Sequence, residues 1–387
     1  MVKAIKVMLI PNNVQKTKLF QYAGASRFAY NWALAREIEN YEKGGKFISD
    51  AELRKEFTKL RHSDEYAWLL NISNNVTKQA IKDACTAYKN FFKGLQKFPR
   101  FKSRKRSMPK FYQDNVKIQF SNTHVKFEGF SSSRKANKQK MNWVRLAEHG
   151  RIPINAKYMN PRISFDGLNW WISVCVEFPD CRETLNDDGV GIDLGIKDLA
   201  VCSDGTKYKN INKSQKVKKL EKQKRRLQRS ISRSYEKNKK GESYCKTNNV
   251  IKKEKLLLKR NHRLTNIRKN YLNQTISEII NRKPRFICIE DLNVSGMMKN
   301  RHLSKAVQEQ GFFWFRKQLE YKCSDKGIQL IVADRFYPSS KLCSCCGNIK
   351  KDLKLSDRVY RCACGNMIDR DFQASINLKT YGEKFAS

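Results

Sequence analysis

GVGIDLG (189–195) is the stretch on which the fold turns. It reads as a strand, yet Asp193 stands in its middle, where β-propensity disfavours an acid and burial is costly unless the charge is compensated. The spacing of Gly189 and Gly191 resembles a dinucleotide-binding loop only superficially. The next glycine, Gly195, comes one residue late and no helix follows, so that reading fails. Asp193 therefore needs a partner, and the flanking sequence supplies candidates.

Downstream, LAVCSD (199–204) and residues 207–211 read as two more short strands around a Gly205 turn. Two long helices follow, roughly 213–240 and 248–282, with Gly241 near the break. The strand RFICIE (285–290), a helix across 304–326, the strand IQLIVA (328–333), a cysteine-rich insert at 341–365 and a terminal helix near 371–382 complete the chain. Three meander strands followed by strand–helix alternation is the element order of the RNase H-like fold. Upstream, residues 2–10 read as a strand ended by Pro11. Residues 14–42, 49–61 and 73–93 read as helices, the second opened by a Ser49/Glu52 capping box. Pro99 and Pro109 punctuate a loop. Residues 115–180 look mostly β, with short runs at 116–120, 124–127 and 170–178. The predicted class is multidomain α+β.

In that order the first and fourth nuclease-half strands are neighbours and the last helix crosses their ends. Asp193, Glu290 and Asp371 can then converge. Asp371 opens a helix, where a carboxylate is favoured by the dipole. Two alternatives stay open: Asp291 competes with Glu290, and Asp369 with Asp371. Converging carboxylates are tolerated when divalent cations neutralise them, and such oxygen donors suit a pair of Mg²⁺ or Mn²⁺ ions in phosphodiester cleavage. No G-x-S-x-G elbow is present and the five histidines are scattered, so a hydrolase triad has no support.

Of twelve cysteines, five lie between 343 and 364. Cys343-x-x-Cys346-Gly and Cys362-x-Cys364-Gly are two knuckles suited to one tetrahedral structural Zn²⁺, with Cys345 as a substitute ligand. A ribbon this small draws its folding energy from the metal. The remaining seven cysteines read as buried small apolar residues.

The chain has 387 residues and carries 79 Lys+Arg against 37 Asp+Glu, a net charge of +42. Such self-repulsion calls for a polyanion, most simply nucleic acid. Residues 207–269 hold 24 Lys+Arg and four acids, with apolar residues recurring at helical spacing. Lys222, Arg225, Arg226 and Arg229 are candidate contacts there, on a helix with too many cations for one face. Residues 88–110 hold nine Lys/Arg and no acid, interleaved with Phe91, Phe92, Phe98 and Phe101. The candidates there are Lys97, Arg100, Lys102, Arg104, Lys105 and Arg106, beside rings that could stack on bases. No apolar run would span a bilayer and no signal segment is evident, so a cytoplasmic protein with reduced thiols and no membrane partner is expected. Monomer and dimer are not distinguished.

RFAYNWAL (27–34), KFPRFKSRKR (97–106), GIDLGIKDLAV (191–201), IEDLNVSGM (289–297), RFYPSSKLCSCCG (335–347) and RCACGNMIDRDFQASINL (361–378) together resemble the TnpB family, insertion-sequence-encoded RNA-guided nucleases related to compact type V CRISPR effectors. The resemblance spans nearly the whole chain. It implies a β-barrel-like wedge (1–12 and 111–185) with a helical recognition insert (13–110). A RuvC-like nuclease (186–340, closed by the helix at 369–387) would follow, with a zinc ribbon inserted at 341–368. It implies guide RNA and double-stranded target DNA as partners, two Mg²⁺ ions on Asp193, Glu290 and Asp371, and one Zn²⁺ on Cys343, Cys346, Cys362 and Cys364. Two features depart from the family pattern: Gln373 and Ser375 in Asp371-Phe-Gln373-Ala-Ser375-Ile-Asn377, and the C-x-C knuckle. Other classes consistent with the charge and the acids are a transposase working without RNA and a guided DNA-binding regulator.

Overall fold

The structure is a computed structural model that describes residues 1–130, 141–179, 183–354 and 357–386, without the side chain of Lys240. The parts of the predicted wedge and ribbon at 131–140, 180–182 and 355–356 lie outside the described residues. The chain divides into two compact units, Met1–Pro179 and Asp180–Ser387.

In the first unit, β1 (Val2–Ile10) sits inside a seven-stranded sheet. The other strands are β2 (Lys110–Tyr112), β3 (Gln119–Phe120), β4 (His124–Lys126), β5 (Trp143–Leu146), β6 (Tyr158–Phe165) and β7 (Trp170–Glu177), in the order β2-β6-β7-β1-β5-β4-β3. Among the described residues β2 and β3 are its two edges. The helices α1 (Asn13–Glu42), α2 (Asp50–Arg61) and α3 (Asn74–Phe92) match the predicted spans. Asn12 and Gln15 form a reciprocal cap at the start of α1, and the predicted Ser49/Glu52 box opens α2. Helices and sheet share one core that includes Tyr22, Phe57, Phe111 and Ile172.

In the second unit, β8 (Val190–Leu194), β9 (Asp198–Cys202) and β10 (Lys207–Lys209) form the antiparallel meander. They are followed by α4 (Gln215–Lys237), a small hairpin of β11 (Lys239–Lys240) and β12 (Ser243–Tyr244), and α5 (Asn248–Asn281). Next come β13 (Phe286–Glu290), α6 (Val294–Lys299), α7 (Ser304–Gln310), α8 (Phe312–Lys326) and β14 (Gln329–Ala333). The ribbon strands β15 (Val359–Arg361) and β16 (Met367–Asp369) lead into α9 (Arg370–Phe385). The sheet order is β10-β9-β8-β13-β14, with β8, β13 and β14 parallel. The expected single helix across 304–326 is two helices. Gly311, at φ 71°, caps α7 in the left-handed region, and its backbone N–H bonds to the Val307 carbonyl.

Side-chain alternation splits this sheet into two faces. Ile192, Leu194, Ile287 and Ile289 enter the core beneath α5 and α8. Phe286 and Cys288 face the opposite side, where Leu378 of α9 covers them. Gly191 lies on that second face, and any Cβ there would collide with the Ser375 carbonyl and the Lys379 N–H of α9. The glycine lets the last helix lie directly on β8.

Candidate active site

The register places two acids side by side. Ile287, Cys288 and Ile289 pair with Val190, Gly191 and Ile192, so the next step brings Glu290 beside Asp193 at the carboxyl ends of parallel strands. By alternation both point to the face covered by α9, whose first turn carries Asp371. The Asp193 carboxyl is raised well above the usual carboxylate range, first by burial, then by the negative charges of Glu290 and Asp371. Burial also raises Glu290, against a hydrogen bond donated by the Ser339 hydroxyl. Glu290 beside it and Asp371 on the helix above thus surround the buried Asp193 with negative charge, which a cation would relieve.

The two competing acids are engaged elsewhere. Each Asp291 oxygen holds a different guanidinium, Arg316 Nη1 at 2.6 Å and Arg335 Nη2 at 2.5 Å. Asp369 is the N-cap of α9, accepting the N–H groups of Asp371 and Phe372 at 3.1 Å each, and it pairs with Lys207 at 3.4 Å. Asp369 ends β16, so the ribbon hairpin runs without a linker into the helix that carries Asp371.

Among the described residues, Cys343, Cys346, Cys362 and Cys364 are the one group of three or more His, Cys, Asp or Glu whose ligand atoms all lie within 4.8 Å of one another. The Cys343–Cys364 and Cys346–Cys362 sulfurs are each 3.6 Å apart. A tetrahedral ion with Zn–S bonds near 2.3 Å needs sulfurs about 3.8 Å apart, so this group could hold zinc. The C-x-C knuckle closes as well as the C-x-x-C one. Cys345 is exposed and outside the group. Burial would raise the Cys343 thiol, but the Cys346 N–H and the Asn366 amide bring it down to about 6. Cys364, despite the Asn366 N–H, is pushed up to about 12 by Cys362 and Cys346. Four sulfurs this close cannot all ionise without a cation. Gly347 and Gly365 sit at positive φ just after the knuckles, at 72° and 89°. Of the other cysteines, Cys85, Cys202, Cys288 and Cys323 are buried, but Cys175 is half-buried and Cys245 is exposed beside the β11–β12 hairpin. Cys181 lies outside the described residues.

Sequence reasoning missed what holds ribbon to helix. Gln373 is fully buried. Its amide donates to the Leu342 carbonyl at 2.7 Å, while its Oε1 accepts from Ser344 at 2.9 Å and Asn366 at 3.3 Å. Asn377 donates to the Ser339 and Leu342 carbonyls at 2.7 Å each. The polar alternation in 371–377 was the available signal.

The cations of α4 fare differently from those of the first unit. Lys222, Arg225, Arg226 and Arg229 are exposed and line one cavity of about 600 Å³. The helix is not polar all round, however. Val217 and Leu220 pack with Leu264 of α5, while Lys216, Lys218 and Lys219 are exposed as well, so the free cations spread over more than one face. In the first unit Lys97, Arg100, Arg104, Lys105 and Arg106 are exposed. Lys102 is not. Its ammonium lies 3.0 Å from the Tyr30 ring centroid, and burial, assisted by Lys110, lowers its pKa to about 7. Phe91 packs edge-on against Phe92 and Phe98, at 5.2 and 5.1 Å, and Phe92, Phe98 and Phe101 stay exposed. No helix among the described residues is long and apolar enough to cross a membrane.

The chain resembles known families and proteins over most of its length. The family described as "Probable transposase" matches residues 173–301, "Cas12f1-like, TNB domain" matches 312–378, and "Helix-turn-helix domain" matches 1–46. Here residues 1–46 form β1 and the uninterrupted α1. The chain is 30% identical over 379 residues to an Escherichia coli protein named "Putative RNA-guided DNA endonuclease InsQ", covering 93% of this chain and 87% of that one. It is 28% identical over 382 residues to a Streptomyces pristinaespiralis "Putative RNA-guided DNA endonuclease", covering 98% and 89%. In fold it resembles the Cas12f1 chain of a Cas12f1–sgRNA–target DNA complex, with a TM-score of 0.60 at 12% identity over 98% of each chain. The architecture is thus that of a compact Cas12-type effector, a multidomain mixed α/β protein. The chain belongs to the TnpB (OrfB/IS605) family.

Proposed function

We propose that the protein is an RNA-guided DNA endonuclease of RuvC type, cutting phosphodiester bonds with Asp193, Glu290 and Asp371. The observation that carries this reading is the buried Asp193 beside Glu290 on adjacent parallel strands, with the negative charge of Asp371, from the first turn of α9, acting on it. The names of the relatives agree with it. In this reading the nuclease comprises 186–340 and 369–387, with a zinc ribbon at 341–368, while wedge strands at 1–12 and 111–185 and recognition helices at 13–110 engage nucleic acid.

All-oxygen donors with no nitrogen or sulfur among them fit Mg²⁺. When bound there, two such ions would supply activation of water and neutralisation of the charge developing on the leaving oxygen. The chain's own residues do the rest. Asp193, Glu290 and Asp371 would hold the ions, Ser339 donates its hydroxyl to Glu290, and Asp369 caps the first turn of α9, which carries Asp371. A guide RNA neutralises much of the +42 charge and reads double-stranded target DNA by pairing, leaving the protein to read a short flanking motif. Such a protein works in the prokaryotic cytosol or nucleoid.

The test is purification from cells, measurement of absorbance before and after RNase, sequencing of the bound RNA, and challenge with a plasmid carrying the matching target. Mg²⁺-dependent cutting that needs both the RNA and Asp193 supports the proposal. RNA-free protein that cuts transposon ends is a transposase instead. RNA-loaded protein that binds the target and leaves it intact is a guided regulator.

A further inference from the structure

Beside Glu290 is a cavity of about 210 Å³ whose other walls the three acids do not explain. Leu194 and Leu292 give it an apolar side, and Glu290, Phe313, Arg316 and Arg335 also line it. Its neighbours at the start of α8 behave oppositely: Phe312 is buried at 2% while Phe313 is 64% exposed. A single exposed ring is ordinary. An exposed ring on a cavity that also holds an acid of the cutting site and two guanidinium groups is a recognition surface.

Asp291 organises the charged side. Its oxygens take Arg316 and Arg335 separately, at 2.6 and 2.5 Å. Arg316 is further tied to Glu320 at 3.2 Å. Arg335 makes its bond to Asp291 through one nitrogen and keeps 51% of its side chain exposed, so most of its donors remain for a ligand. A guanidinium fixed from behind and open in front suits a phosphate. A flat ring over a small apolar slot suits one base, and stacking of this kind tolerates any sequence.

We propose that this cavity seats the nucleotide next to the scissile phosphate of the DNA strand being cut, with its base against Phe313 and its phosphate on Arg335. Asp291 is the positioning residue for that arginine. The inference rests on the assignment of Asp193, Glu290 and Asp371 to cutting, because it is their position that makes this nucleotide the flanking one. A seat of this kind lets the cutting site hold a single strand in register for in-line attack without reading its sequence there.

The test uses the Asp193→Ala protein carrying its co-purified RNA, titrated with single-stranded DNA oligonucleotides that each bear 2-aminopurine at one position. Quenching at one position, lost on Phe313→Ala and kept on Phe313→Tyr, is the expected result. Arg335→Ala and Asp291→Asn should both weaken binding of that oligonucleotide, and Arg335→Lys should rescue it only in part. In the protein with Asp193 intact, Phe313→Ala should slow single-turnover cleavage by roughly 5- to 150-fold, the span expected for one lost base–ring stack. Equal quenching with and without the Phe313 ring, or no position-dependent quenching at all, overturns the proposal. Position-dependent quenching in Asp193→Ala, together with no Mg²⁺-dependent cutting by the protein with Asp193 intact, supports the seat while refuting the nuclease assignment, so the two fail separately.

Discussion

Asp369 Oδ1 accepts the backbone N–H of Asp371 at 3.1 Å, and this bond separates the roles of two acids only two residues apart. Asp369 caps the helix, while Asp371, in the first turn, pairs with Arg370 at 3.3 Å and adds its negative charge to the surroundings of Asp193. Asp371→Ala should abolish Mg²⁺-dependent cleavage. Asp369→Ala should cost about 1 kcal/mol of stability, the usual loss for a cap, and leave cleavage within roughly tenfold of the parent. Melting curves and cleavage assays on both variants check this, and a dead Asp369→Ala beside an active Asp371→Ala reverses the assignment.

Asp193→Ala should eliminate cleavage while guide and target binding persist, because the acid holds metal and not nucleic acid. Loss of one ligand from a two-ion site is expected to cost several kcal/mol of transition-state stabilisation. Undiminished cutting by the purified variant would remove Asp193 from the site.

Metal analysis should find about one zinc per chain. Cys343→Ser and Cys362→Ser should lose it and partly aggregate, whereas Cys345→Ser, outside the sulfur cluster, should be mild. Gln373→Leu removes the buried amide's bonds to the Leu342 carbonyl, the Ser344 hydroxyl and the Asn366 amide, leaving the Leu342 carbonyl to Asn377 alone. It should lower stability by about 1–3 kcal/mol and, through Asn366, which donates to Cys343 Sγ at 3.4 Å, weaken zinc retention against a chelator roughly 10- to 100-fold. Unchanged melting and zinc retention would show the buried amide to be dispensable.

Lys102 predicts a pH dependence. Unfolded, it keeps its proton to about pH 10.5; folded, it releases it from about pH 7 upward. The unfolded state binds more protons between those values, so this group's contribution makes the fold more stable as pH rises from 7 towards 10.5. Lys102→Met removes the titration. The melting temperature of the parent relative to Lys102→Met should therefore climb between pH 7 and 10, and a flat difference would show that the ammonium is better solvated than its place over Tyr30 implies.

Reversing Lys222, Arg225 and Arg226 to Glu should weaken RNA binding and flatten its salt dependence by about 0.7–0.9 log–log unit per lost phosphate contact. A variant that folds, binds RNA with the parent's salt slope and cuts normally would move the binding surface to the first unit.

Much of this molecule is local and so was legible in the chain. Short apolar runs marked the strands around Asp193 and Glu290, Ser49/Glu52 marked a helix start, and the knuckle spacing marked the four thiols, because caps, runs and chelating pairs depend on neighbours within a few residues. Net charge alone implied a polyanion. What the chain could not decide were choices between adjacent residues of the same type. Glu290 against Asp291 depends on which side of β13 each faces and on guanidinium groups arriving from α8 and from the segment after β14. Asp369 against Asp371 depends on where a helix begins, and the fate of Lys102 on a Tyr30 ring seventy-two positions away. Gly311 divided an otherwise continuous helical pattern by adopting φ 71°, a conformation open to any glycine but selected here by packing. The cavity beside Glu290 is likewise a product of three separate segments meeting. Burial and charge pairing are properties of where segments meet, and only the tertiary structure decided them.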